Sequence, residues 1–127
     1  RLAAFLHDDH RLARRGYVTL REIAAGPLIL TSKDSSVRGL VDAALRRERL
    51  VAHVAQEATY MTTALGMVAA GLGVAILPEA AMTSAPESVR RVAIRRPVLT
   101  RQIGILTRAG RSLSPAAQQL AEVLRAG

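Results

Sequence analysis

Ala69-Ala-Gly-Leu-Gly-Val-Ala-Ile-Leu-Pro78 is the stretch on which the fold turns. Gly71 is placed to end a helix in the left-handed conformation that glycine adopts without a Cβ penalty. Gly73 to Leu77 is a short, unbroken apolar run, as expected of a strand buried on both faces. Pro78 suits the first position of a further helical turn. The wider segment from Ala58 to Pro78 carries no charge and is long enough to cross a bilayer. It also contains Thr59, Thr62, Thr63, Gly66, Gly71 and Gly73 and ends in proline. A helix, a glycine turn and a buried strand account for that mixture better than a membrane span.

Working upstream, Thr59 or Tyr60 opens the helix, with Met61, Ala64, Leu65 and Val68 as its inner stripe. Val51 to Ala58 alternates apolar and polar residues and reads as a strand. Before it, Ser35 or Ser36 caps a helix whose buried face is Val37, Leu40, Val41, Ala44 and Leu45. Pro27-Leu-Ile-Leu-Thr31 is another buried strand, followed by a polar loop to Ser36. The central block is therefore β-α-β-α-β. Uniformly apolar strands joined by helices predict a parallel sheet with right-handed crossovers.

The flanks are shorter. Thr19 as N-cap and Glu22 three residues later form a capping box, with Val18 and Ile23 placed as a hydrophobic staple; Gly26-Pro27 stops that helix. Leu2 to Leu6 is a short strand. Val89 to Arg96 is an edge or crossing strand with Val92 and Ile94 on one side. Residues 101–107 form a strand with Ile103 and Ile105 on one face. Ser114-Pro115 opens a helix to about Arg125, with Leu120, Val123 and Leu124 inward.

With 127 residues the chain suits one domain or two small lobes. Half of its residues are hydrophobic, which excludes a disordered chain. It has no Cys, hence no disulfide framework, thiolate metal site or Cys nucleophile. One Phe, two Tyr and no Trp leave an aliphatic core and no stacking platform for single-stranded nucleic acid. Net charge is +8, unevenly spread: +2 over residues 1–22, −1 over 23–88 and +7 over 89–127. A basic flank can serve anionic partners, but a solvated arginine face is its commoner meaning. The first Met is Met61, so the chain reads as a piece of something longer; residues 1–10 carry no signal-peptide pattern.

Ligands of open α/β sheets bind beyond the carboxyl ends of the strands. Here those ends are Thr31–Ser36, Ala58–Tyr60 and the turn at Pro78. The first two feed helix N-termini, whose free N–H groups and dipole favour an anion. Thr31, Ser32, Ser35, Ser36, Thr59 and Tyr60 add hydroxyls. The pattern points to a small-molecule anion site, although capping alone accounts for some of these hydroxyls. Enzymatic patterns do not assemble: there is no G-x-S-x-G elbow, no P-loop and no placeable Ser-His-Asp set. Gly71-Leu-Gly73 ends a helix instead of opening one and lacks the third glycine of a dinucleotide fingerprint. His7-Asp-Asp-His10 invites a metal, but adjacent positions of one loop rarely surround one ion, and no metal or cofactor is expected.

Tyr17-Val-Thr-Leu-Arg-Glu-Ile-Ala-Ala-Gly-Pro-Leu-Ile-Leu30, a Ser/Thr loop, and then Ala69 to Pro78 at their distance resemble the effector-binding domain of LysR-type transcriptional regulators. His10-Arg-Leu-Ala13 stands where that family often has His-Pro-Leu-Ala, with Arg11 in place of the proline. Arg108-Ala-Gly-Arg-Ser-Leu-Ser-Pro-Ala-Ala117 looks like the family's last strand-to-helix turn.

The resemblance implies an α/β fold of the type II periplasmic-binding-protein kind, incomplete here. Residues 1–18 would be a crossing strand and connector. Residues 19–88 would be the second lobe. Residues 89–127 would be the return crossing strand with the last strand and helix of the first lobe. Carried over residue by residue, the second lobe's effector contacts would be Thr31, Ser32, Ser35, Ser36, Thr59, Tyr60, Met61 and Val74 or Pro78. It further implies a cytoplasmic, non-enzymatic, oligomeric regulator. Such a protein senses a small organic acid and meets DNA through a winged helix-turn-helix outside this chain. A transport-type solute-binding domain, an α/β enzyme fragment and an inactive truncated piece are the rival readings.

Overall fold

The computed structural model describes residues 1–100. The strand and helix expected over 101–125 lie outside them, as does the turn at Arg108–Ala117. The elements run β1 (Leu2–His7), β2 (Tyr17–Val18), α1 (Leu20–Ala24), β3 (Pro27–Thr31), α2 (Ser36–Arg47), β4 (His53–Ala58), α3 (Met61–Ala69), β5 (Val74–Pro78), a 3-10 turn (Glu79–Ser84) and β6 (Val89–Ile94).

The six strands of the described residues form one sheet in the order β2-β6-β1-β5-β3-β4. β3 pairs in parallel with both β4 and β5, as the β-α-β-α-β pattern requires. β1 lies antiparallel to β5 on one side and to β6 on the other. β6 is thus paired on both edges, since two-residue β2 lies parallel along its outer side. It is not an edge strand. Nor does β4 begin at Val51, which is 95% exposed; pairing starts at His53, with a bulge at Ala55 where Leu28 faces Val54 but Ile29 faces Gln56.

The chain moves outward from β3 to β4 and then back past β3 to β5. With crossovers of one hand, that reversal puts the two connecting helices on opposite faces of the sheet. Two separate cores result. Val37, Val41, Ala44 and Leu45 of α2 pack with Leu28, Leu30 and Ile76, joined by Leu20 and Ile23 of α1 and by Leu12. Ala64, Leu65 and Val68 of α3 pack with Phe5, Ile29, Ala75 and Leu77 on the other side. The alternation of Leu28, Ile29 and Leu30 between the two cores explains the unbroken apolar run.

The caps form largely as expected. Thr19 Oγ1 accepts the Glu22 N–H at 3.1 Å, and Glu22 Oε1 accepts the Thr19 N–H at 2.9 Å, closing the capping box. Val18 and Ile23 share one core, consistent with the staple. Gly71, with φ 78°, ends α3 in a Schellman motif: its N–H donates to Val68 C=O and the Leu72 N–H to Met67 C=O. α2 ends in the same way, but with Arg49 at φ 56° in the glycine position.

Candidate functional site

β3 and β4 run in parallel, so Thr31 and Ala58 stand side by side at the same end of the sheet. The loops that follow are laced together there. The Ser32 N–H donates to Ala58 C=O at 3.2 Å, and Ser32 Oγ lies 3.4 Å from Thr59 Oγ1. Thr31 Oγ1 and Ser35 Oγ share a hydrogen bond of 2.9 Å. Ser35 Oγ also accepts the Arg38 N–H, which makes Ser35 the N-cap of α2. Ser36 is the first helical residue and is exposed.

The two helices start differently. Tyr60 holds the N-cap position of α3, with no side-chain bond to the backbone, and its ring is exposed. Of the two residues expected to open this helix, Tyr60 takes the N-cap position, and the Thr59 hydroxyl lies beside Ser32. Among the described residues, the first N–H donors of α3 have no capping side-chain acceptor, and they lie next to a hydroxyl pair.

Beside that helix start, Met61, Thr62, Leu65, Pro78, Ala80, Ala81 and Ser84 line a mainly apolar pocket of about 280 Å³. Thus Thr31, Ser32, Ser35, Thr59, Tyr60, Met61 and Pro78 gather at one end of the sheet. Val74 is not part of this group. It begins β5, opposite Leu28, and is buried in the α2-side core; only the last residue of that strand reaches the pocket.

Arg38 was not anticipated. Its side chain is 7% exposed, and the guanidinium donates to Thr31 C=O at 3.0 Å, to Asp42 Oδ1 at 3.0 Å and to the Glu57 carboxylate. It ties the end of β3 to β4 and α2. The bond to Glu57 foremost, and then Asp42, holds its pKa above the usual arginine value against the opposing effect of burial. The Arg38–Asp42 spacing of four residues was visible in the sequence. Glu57, 19 residues away, could be matched to Arg38 only once β4 was seated beside β3.

At the opposite end, His7, Asp8 and Asp9 each place one ligand atom within 4.8 Å of the others. The ring atom nearest both carboxylates, His7 Nδ1, already accepts the Asp9 N–H at 3.0 Å. That lone pair is occupied, and the three residues do not form an open cation site through it.

The profile of the LysR substrate binding domain matches residues 1–127. The chain belongs to that family. It is 38% identical over 122 residues to the uncharacterized HTH-type transcriptional regulator YfeR of Shigella flexneri, covering 94% of this chain and 39% of YfeR. Among solved structures, a LysR-family regulator from Pseudomonas aeruginosa, the PA01 protein, superposes with a TM-score of 0.72 at 26% identity, over 99% of this chain and 44% of that one. The effector-binding domain of QuiR, solved with shikimate, gives 0.71 at 20% identity, over 100% of this chain and 61% of that one. The fold is the periplasmic-binding-protein-like one of LysR effector domains, here in part. The chain spans about two fifths of the length of YfeR. The family consists of transcriptional regulators, typically not enzymes. Among the described residues, no helix is long and apolar enough to cross a membrane.

Proposed function

We propose that this chain is the ligand-sensing portion of a LysR-type transcriptional regulator and that its effector is a small organic acid. The observation that carries this reading is the uncapped start of α3, set between the Ser32–Thr59 hydroxyl pair and the apolar pocket at Met61 and Pro78. Free N–H groups at the positive end of the helix dipole and nearby hydroxyls suit a carboxylate. The pocket beside them suits the acid's hydrocarbon body. Shikimate, in the QuiR structure, is an acid of this kind.

In this reading residues 19–88 form one lobe, residues 1–18 and 89–127 lead to and from the other, and the effector lies between the two. Binding matters for regulation only if one lobe arrangement holds the acid better than another. The output would pass through a DNA-binding domain outside this chain, in a cytoplasmic homo-oligomer. The pairing of the Thr31 and Ser35 hydroxyls with each other, and not with an imidazole, supports binding over nucleophilic catalysis.

The test is thermal unfolding of the chain against aliphatic, alicyclic and aromatic carboxylic acids, shikimate among them. An acid at about 100 times its Kd adds roughly 2.7 kcal/mol. That raises the midpoint of a domain this size on the order of 10 °C. The rise should be confined to one class of acid and lost in Ser32→Ala/Thr59→Ala, neither of which removes the cap of α2. A rise that survives that double substitution sinks the assignment of the site.

A further inference from the structure

Among the described residues, the end of the sheet remote from the hydroxyl loops is not closed. His7, Asp9, His10, Arg11, Glu22, Ile23, Gly26, Pro27, Ala69, Ala70 and Gly73 are among the residues around a cleft of about 680 Å³, more than twice the volume of the Met61–Pro78 pocket. Its back wall is fixed by a close backbone approach. A Cβ on Gly73 would stand 2.7 Å from the Pro27 carbonyl oxygen, so the start of β5 and the start of β3 touch with no side chain between them.

The histidines there are committed in a particular way. The Leu12 N–H donates to His10 Nδ1 at 3.0 Å, as the Asp9 N–H does to His7 Nδ1. With Nδ1 an acceptor, a neutral imidazole carries its proton on Nε2. Burial, helped by the Arg11 charge, lowers the His10 pKa and keeps that ring neutral near pH 7. The ring therefore offers a ligand an N–H donor and no lone pair, which suits a hydrogen-bond acceptor and does not suit a metal ion.

The charges around the cleft point the same way. Both Glu22 carboxylate oxygens are already engaged, by the Thr19 N–H and hydroxyl and by Arg15 at 2.8 Å. The Asp9 side chain is 91% exposed, where solvent screens it. Arg11 lines the cleft and makes no ion pair among the described residues. Ile23, Ala69 and Ala70 supply an apolar surface beside these donors.

We infer that this cleft is a second small-molecule site, separate from the hydroxyl loops, in which Arg11 and the His10 Nε2–H hold the oxyanion of a short-chain acid while its hydrocarbon part lies against Ile23 and Ala69–Ala70. A free carboxylate and a phosphate share the head-group chemistry; the apolar wall favours the carboxylate.

The experiment is a backbone-amide NMR titration of the whole chain with sodium butyrate, with inorganic phosphate as a second arm and sodium chloride as the ionic control. The Gly26, Gly71 and Gly73 amides and the His10 ring should shift and saturate with butyrate, and not with chloride. Arg11→Gln should weaken butyrate roughly tenfold, the value of one charge-assisted hydrogen bond. His10→Asn separates binding from architecture, because the Asn Oδ1 can still accept the Leu12 N–H while the Nε2–H donor is lost. It should weaken butyrate with the Leu12 amide resonance little changed. Saturation by phosphate as well as butyrate, with the same Arg11 dependence, supports an oxyanion site of broader range. Shifts that grow linearly with concentration in both arms, or that persist unchanged in Arg11→Gln and His10→Asn, overturn the inference. Ser32→Ala/Thr59→Ala should leave this titration unaltered, so the outcome is independent of the hydroxyl-loop site.

Discussion

α2 and α3 begin at the same end of one sheet, at the ends of neighbouring parallel strands, yet their first turns are opposites. Ser35 caps α2, and Arg38, one turn on, is locked to the Thr31 carbonyl, Asp42 and Glu57. The Ser35 hydroxyl and the Arg38 guanidinium are both used internally there. α3 starts at Tyr60 with no side-chain cap, and the hydroxyl before it lies beside the other loop. One helix start is closed by its own side chains; the other has no side-chain cap, which is the feature the proposed acid site uses. Under the proposed function, equivalent positions in the fold divide stability and binding between them, and each half of that division can be attacked separately.

Removing the α2 anchor has the largest expected effect. Arg38→Ala leaves the Thr31 carbonyl and two carboxylates without their donor and should cost about 2–3 kcal/mol in urea unfolding, because hydrogen bonds to charged groups are individually strong. A loss below about 0.5 kcal/mol would mean that the network is ornamental. Ser35→Ala comes next, at about 1 kcal/mol for a lost N-cap, whereas Thr59→Ala should change stability by less than about half of that. Equal losses at the two positions would erase the contrast between the helices.

The comparison sharpens if α3 is given the cap it lacks. Tyr60→Asp places a carboxylate on the free N–H groups and should stabilise the chain by roughly 0.5–1 kcal/mol. The same substitution should abolish the melting shift produced by an organic acid, since the protein's own carboxylate then occupies the donors. Stabilisation with ligand response intact would show that the acid binds elsewhere.

The helix ends offer a smaller contrast. Arg49 occupies a left-handed position that Gly71 fills at the end of α3. Gly71→Ala should cost about 1 kcal/mol and Arg49→Gly gain about 0.5 kcal/mol, both read as shifts of the melting midpoint. The smallest effect is electrostatic. The bond from the Thr19 N–H, aided by Arg15 and the Thr19 hydroxyl, lowers the Glu22 pKa below its ordinary 4.5. A depressed carboxylate contributes stability above its unfolded pKa and loses it as pH falls through the folded one. The acid limb of stability below about pH 4.5 should therefore be shallower in Glu22→Gln, a comparison made by melting the two proteins from pH 6 down to pH 3.

Local signals were legible in the chain where the interaction is itself local. The Thr19–Glu22 box, the Ser35 cap and Gly71 each involve residues within a few positions of one another, and each formed. The apolar runs at Leu28–Leu30 and Val74–Leu77 gave the parallel core for the same reason. What escaped depends on strand order. β2 has two residues and exists because β6 lies beside it. Arg38 reads as a solvated charge until β4 brings Glu57 against it. The resemblance leaves Val74 or Pro78 open, and only the strand between them decides: β5 carries Val74 and Pro78 to opposite ends of the sheet, with Pro78 at the pocket. Thr59 and Tyr60 are both candidates to open α3 by sequence, and the seating of the Ser32 loop on Ala58 brings the Thr59 hydroxyl to Ser32.

The Leu2 N–H donates to the Leu99 carbonyl at 2.8 Å, and β1 and β6 run antiparallel, so the backbone enters and leaves this region at the same rim of the sheet. Tension applied through those two connections falls on the open end of the β1–β6 pair. It loads the rungs one at a time, as in a zip, and not all together in shear. The rim that peels first is the one where Leu2 pairs with Pro78, so tension there is felt beside the Met61–Pro78 pocket before it reaches the far end of the sheet.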